Sequence, residues 1–130
     1  MTAKEYLSQY REEKLKVKKL SDQIKELEAL SEYASPRFST SGSGISDKVG
    51  NHAAEIADKK KELNCLIAKS LELMDEIEAC INRVENSRLR YILFERYICC
   101  QKWEDIAEEL NLELRWVYVL HGRALKKIDH

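Results

Sequence analysis

Cysteine and histidine side chains are the residues that most often carry catalysis or bind metals, so their spacing is informative. The sequence has four cysteines and three histidines: Cys65, Cys80, Cys99, Cys100, His52, His121 and His130. No C-x-x-C pair occurs and no histidine lies at ligand spacing, whereas a structural zinc site takes four ligands in local pairs. We therefore predict free, buried or half-buried thiols, no metal and no cofactor.

The sequence gives no support for an enzyme. The histidines fall in different predicted elements, and no Ser/His/Asp or paired-carboxylate arrangement is present. An acidic cluster at residues 104–109 opens a predicted helix, where the helix dipole favours negative charge. We expect this cluster to be a solvated surface, and no catalytic residue is predicted.

The basic and aromatic side chains of the last predicted helix, residues 113–128, are the candidates for binding DNA. The face opposite its apolar stripe carries Arg115, Tyr118, Val119, Gly122 and Lys126. This face would enter the major groove of double-stranded DNA.

These residues have different expected roles. Arg115, near the helix start, could pair bidentately with guanine. Tyr118 could contact a thymine methyl or a phosphate, and Gly122 allows a close backbone approach. Three further cations would bind phosphates, although such residues near a helix C-terminus also suit its dipole: Arg123, Lys126 and Lys127.

The segment that must position this face has the pattern of a helix-turn-helix. Helices are predicted at 103–110 and 113–128, with a supporting helix at 87–98 and a turn at 99–102. The predicted core residues are Trp103, Ile106, Ala107, Leu110, Leu112, Val117 and Leu120, continued by Ala124 and Ile128. Asn111 lies at the turn, which needs a residue that tolerates positive φ. Ala107 lies where the helices cross and only a small side chain fits.

Two longer helices precede this segment. Apolar residues repeat in heptads over 2–34 and 47–85, and a Ser/Gly-rich stretch at 35–46 separates them. We predict an all-α fold: a long antiparallel helical hairpin or coiled coil over 1–85 with a flexible loop at 35–46, then a helix-turn-helix domain over 86–130. The apolar stripe of the second helix is wider than the first can cover, which favours a homo-oligomer, most simply a dimer.

Charge and hydropathy place weaker limits on function. The formal net charge is −1, and residues 86–130 carry 8 basic and 7 acidic side chains, a balance of +1. That is a weak electrostatic footprint for a nucleic-acid-binding protein. No apolar run approaches ~18 residues and no signal core begins the chain, so we expect a cytoplasmic protein that does not bind membranes.

The C-terminal segment resembles region 4 of bacterial sigma factors. The matching residues are Glu104, Ile106, Ala107, Leu110, Leu112, Val117, Arg123, Ala124, Leu125 and Lys127. Nearly the whole chain resembles the ArpU-type transcriptional regulators of phages and prophages of Gram-positive hosts. The segments that carry this resemblance are residues 3–7, the Ser/Gly-rich break at 39–44, and residues 88–90, 96–98, 103–107 and 120–125.

The resemblance implies sigma-like DNA binding and control of late phage genes in a bacterial host, and it leaves open a contact with host RNA polymerase. Sigma factors place several charged residues early in the recognition helix, whereas only Arg115 is charged there in this chain. Recognition of a sigma-type promoter element therefore does not carry over.

Two other functions fit the pattern. A small terminase-like DNA-packaging component also joins a helix-turn-helix to coiled helices, but usually places the DNA-binding module first. A protein-binding adaptor is favoured by the near-neutral charge and by three apolar side chains early in the last helix: Leu114, Trp116 and Val119.

Overall fold

The computed structural model describes residues 1–34 and 43–130, with side chains described for 1–32 and 52–130. Over these residues the predicted all-α fold is confirmed. The helical segments are α1 (Ala3–Ala34), α2 (Ser43–Asn82), α3 (Ser87–Leu93), a π-helical turn (Phe94–Ile98), α4 (Trp103–Leu110) and α5 (Leu114–Lys126). Among the helices described, none has the length and apolar character needed to cross a bilayer.

The predicted loop at 35–46 is too long at its C-terminal end. Its residues 35–42 lie outside the described part of the chain, but α2 begins at Ser43 rather than at Asp47. The prediction took Gly44 as a break, yet one glycine costs a helix only about 1 kcal/mol. The long helix that follows can offset that cost.

The described residues divide into two compact units. Unit 1 comprises Met1–Glu13 and Ser70–His130, and unit 2 comprises Lys14–Lys69. The whole predicted helix-turn-helix segment, 86–130, lies in unit 1 with the first turns of α1 and the last turns of α2. The boundary predicted between residues 85 and 86 stays a prediction, as does the hairpin.

The core of unit 1 joins side chains from both ends of the sequence. From α1 it takes Leu7 and Tyr10, and from α2 it takes Ile77 and Ile81. The C-terminal segments supply Leu89, Leu93, Tyr97, Ile98 and Ala124 to the same cluster. Apolar area removed from water stabilises this cluster by roughly 25 cal/mol per Å². The first turns of α1 are thereby held against the C-terminal helices.

Among the side chains that the structure describes, unit 2 buries fewer apolar residues than unit 1 does. Leu20 and Ile24 of α1 are buried, whereas Ile67 of α2 is exposed. Lys60 is 57% exposed and forms an ion pair with Glu28 at 2.9 Å. The ammonium group of Lys60 therefore stays in contact with water.

The supporting helix is interrupted by a feature that periodicity did not predict. Asn86 caps the start of α3, and its side-chain oxygen accepts hydrogen bonds from the backbone N–H groups of Arg88 and Leu89 at 3.0 and 3.1 Å. The helix then widens, and the N–H of Cys99 reaches the carbonyl of Phe94 at 3.1 Å. This wider turn buries both Tyr97 and Ile98.

The cysteines only partly follow the prediction. All four are free thiols; Cys80 is buried and Cys100 is half-buried. The prediction is wrong for Cys65 and Cys99, which are exposed. Cys65 lies in the partly exposed stretch of α2, and Cys99 follows the π-helical turn, which rotates it outward.

Candidate nucleic-acid interface

The connection between α4 and α5 depends on one residue in a left-handed conformation. Asn111 ends α4 with φ 55° and ψ 42°. Its N–H donates to the carbonyl of Glu108 at 3.2 Å, and the N–H of Leu112 donates to the carbonyl of Ala107 at 3.0 Å. Most L-residues pay about 1–2 kcal/mol for this conformation, while asparagine and glycine adopt it more readily. The residue type at position 111 thus sets where the chain turns.

The two helices enclose a small core of their own. Ile106 and Val117 are fully buried, Ala107 is nearly so, and all three belong to one buried cluster with Ile92 of α3. Half-buried apolar side chains surround them: Trp103, Leu110, Leu112, Leu114 and Leu120. Leu114 is thus part of this core, so the expectation that it adds to an exposed apolar surface is wrong. This packing fixes which face of α5 points outward.

The outer face of α5 carries the residues predicted to bind DNA. Arg115, Tyr118, Val119, Gly122, Arg123, Lys126 and Lys127 are all exposed. The charged residues of α5 are three cations, and no acidic residue interrupts them. Of the seven acidic side chains in residues 86–130, four lie on α4, and the other three, Glu95, Glu113 and Asp129, lie outside α5. Although the net charge of residues 86–130 is near neutral, α4 is therefore acidic and α5 is basic.

Arg115 is the cation near the start of α5. Its side chain is 78% exposed, and its Nε lies 3.4 Å from the Oε2 of Glu113, which is also exposed. An ion pair between two solvated side chains is weak. The guanidinium is therefore available to a ligand at little cost.

Gly122 has no role within the fold that the structure reveals. Its φ is not positive, and a Cβ added there would meet nothing within 4 Å. Glycine inside a helix is less stable than alanine by about 0.5–1 kcal/mol. Packing does not explain why the chain carries it at this exposed position, whereas a partner that approaches the backbone closely would.

His121 faces the interior, and sequence reasoning missed its place. It is 8% exposed, and its Nε2 shares a 2.7 Å hydrogen bond with the hydroxyl of Tyr97. Burial, with the nearby charges of Lys4 and Arg96, lowers its pKa to about 4, so the ring is neutral near pH 7. Its spacing of four residues after Val117, on the apolar face, was the available signal.

A row of ring contacts links this interior to the exposed edge of α5. The Trp103 ring lies edge-on to His121 at 4.5 Å and to Tyr118 at 5.6 Å between centroids. The Arg96 guanidinium carbon lies 4.5 Å from the Trp103 ring centroid, within the range of a cation–π contact. Tyr118 therefore packs against the half-buried ring of Trp103 at the edge of α5.

The described residues hold no group of three or more His, Cys, Asp or Glu side chains placed to bind a metal ion. Comparison of the chain with protein-family models, curated proteins and solved structures gives no match. The candidate interface is accordingly defined by its own geometry: an exposed, cationic helix face around a glycine, fixed by the Asn111 turn.

Proposed function

We propose that this protein binds double-stranded DNA through the outer face of α5 and acts as a transcriptional regulator of the phage or prophage type. The observation that carries the proposal is the exposed face of α5, whose charged residues are all cations, around Gly122, a residue that no contact within the fold requires. The resemblance to ArpU-type regulators supplies the regulatory role.

The dimensions of α5 suit the major groove. Its 13 residues span roughly 20 Å at 1.5 Å per residue. Residues near the start of a recognition helix contact base edges, while cations elsewhere bind phosphates. Arg115 is the second residue of α5 and Lys126 the last. In this proposal Arg115 contacts a base edge, and Lys126 binds a phosphate of the DNA backbone.

The regulator acts as a homo-oligomer in the bacterial cytoplasm, with a dimer as the simplest state. Ile67 and Leu71, two apolar side chains of α2, are exposed in the single chain and support this part of the proposal. Two recognition helices in such a dimer would bind half-sites about 10 bp apart. A contact with host RNA polymerase belongs to the same proposal and rests on the sigma-like pattern alone.

A protein-binding adaptor is the second candidate. Trp116 is 47% exposed and Val119 is 43% exposed on the same helix. Exposed aromatic and aliphatic side chains beside an arginine are also typical of protein interfaces. In that case the face of α5 binds a protein and has no measurable affinity for DNA.

Fluorescence anisotropy with a labelled DNA duplex tests the proposal. We expect wild-type protein to bind with an affinity that falls as salt rises. Arg115→Gln/Lys126→Gln should weaken binding strongly. The matched control is Glu104→Gln/Glu108→Gln, which changes two exposed charges of opposite sign on α4 and should bind at least as tightly as wild type.

Two results would contradict DNA binding by α5. One is the absence of binding by wild type at low salt, which would favour the adaptor. The other is equal affinity of the wild type and the basic-face variant, which would move the DNA contact elsewhere.

A further inference from the structure

The first turns of α1 bring two unpaired cations to the C-terminal helices. Leu7 is fully buried in the cluster that contains Tyr97 and Ala124. Lys4 and Arg11 lie three residues before and four residues after Leu7, which places them on the same face of α1. Both side chains are exposed. Burial of Leu7 thus holds a cation on either side of the point where α1 meets the C-terminal core.

A third cation completes the group. Arg96, from the π-helical turn, is half-buried, and its Nη1 donates to the carbonyl of Gln101 at 3.0 Å. After burial, the charge of Arg11 is the next cause that lowers the pKa of Arg96, in agreement with the packing of Leu7 in the same cluster as Tyr97. We call Lys4, Arg11 and Arg96 the flanking patch.

Each cation of the flanking patch has an acidic neighbour in the sequence, at Glu5, Glu12 and Glu95. Among the residues that the structure describes, no carboxylate lies within ion-pair distance of any of its three cations. The charges of Tyr97, Cys100 and Glu104 partly offset the lowering of the pKa of Arg96 by burial, and Glu104 is the carboxylate among them. Like charges held together repel one another, and a bound polyanion would relieve that repulsion.

The patch is connected to the DNA-binding face by direct contacts. Arg96 stacks on Trp103, and Trp103 in turn contacts Tyr118 at the exposed edge of α5. Lys4 lies near enough to His121 for its charge to lower the pKa of that ring. Lys4 therefore lies near the turn of α5 that carries His121.

We propose that the flanking patch binds backbone phosphates of the DNA duplex beside the groove that α5 occupies. This inference rests on the proposed function and assigns the start of α1 a direct part in binding. Phosphate contacts supply affinity and fix orientation without reading sequence. The patch thereby sets how α5 is aligned in the groove.

The salt dependence of DNA binding tests the inference in the full-length chain. The variant Lys4→Gln/Arg11→Gln removes two exposed charges and leaves Arg96 and its contact with Trp103 in place. The control Lys18→Gln/Lys25→Gln removes two exposed charges from α1 in unit 2. Each lost phosphate contact should reduce the slope of log K against log salt by about 0.9.

We expect the patch variant to have a slope shallower than wild type by about 1.8. When salt rises from about 50 mM to about 200 mM, the fold-loss of affinity in the patch variant should therefore be about 12 times smaller than the fold-loss in wild type. The control should keep the wild-type slope, and both variants should keep the wild-type melting temperature.

An unchanged slope in the patch variant would overturn the inference, as would an equal change in the control. The proposed function fails separately: it is contradicted when Arg115→Gln/Lys126→Gln binds DNA as wild type does. Loss of binding in that variant, with an unchanged patch variant, would leave α5 as the DNA-binding face and remove α1 from it.

Discussion

Replacement of Gly122 by alanine should stabilise the fold while it weakens DNA binding. The added methyl group meets no atom within 4 Å, and the backbone at Gly122 needs no positive φ. Alanine is favoured over glycine in a helix interior by about 0.5–1 kcal/mol. The free energy of unfolding should rise by about that amount, and the melting temperature by a few degrees, about 4 °C at most.

The effect on binding should have the opposite sign, because the same methyl group lies on the face that we propose approaches DNA. A methyl group that separates the helix from the groove should cost about one base contact, roughly 1–3 kcal/mol. An intermediate loss of about 1.4 kcal/mol corresponds to a tenfold weaker affinity. Gly122→Leu, a larger change at a site with open space, should still fold and should bind more weakly again.

Thermal unfolding and duplex titration of the same preparations measure both effects. A variant that is more stable and binds less well cannot owe its lost affinity to misfolding. A Gly122→Ala protein that gains stability and binds DNA as wild type does would refute the close approach. A loss of stability would refute the assignment of open space around Gly122.

Three further outcomes follow from individual contacts. Arg115→Ala should lose about 1–3 kcal/mol of specific binding with little change on random DNA, whereas Lys126→Ala should weaken binding to every duplex and flatten its salt dependence, as paired titrations would show. Asn111→Ala should lower the free energy of unfolding by about 1 kcal/mol, while Asn111→Gly should stay close to wild type in urea titrations, because only alanine is strained at φ 55°. The pKa of His121 is about 4 in the folded protein and about 6.5 in the unfolded chain. The free energy of unfolding should therefore be greatest above pH 6.5 and should fall by up to about 3 kcal/mol as pH falls from 6.5 to 4. Urea titrations at pH 6.5 and pH 4 should show this loss in wild type and not in His121→Gln.

Helical periodicity predicted much of the local structure around the candidate site. The turn at Asn111 follows from a residue type that tolerates positive φ, and the buried positions Ile106 and Val117 follow from 3.6-residue spacing. These are local properties, which neighbouring residues determine. The outward position of Arg115 follows in the same way, since it lies opposite the buried stripe.

Features that depend on distant parts of the chain were not predicted. Leu7 is buried because α1 meets the C-terminal helices, a contact between residues far apart in sequence. The π-helical turn before Cys99 serves the same core and gives no periodic signal. His121 was set aside as an isolated histidine because its hydrogen-bond partner, Tyr97, belongs to another helix.

Selection of bound fragments from sheared DNA of the source genome tests the central claim most directly. Wild-type protein and an Arg115→Ala/Lys126→Ala variant would be compared at near-physiological salt. DNA recognition by α5 predicts that wild type enriches one or a few fragments and that the variant does not. Enrichment of the same fragments by both proteins, or of none by either, would contradict it.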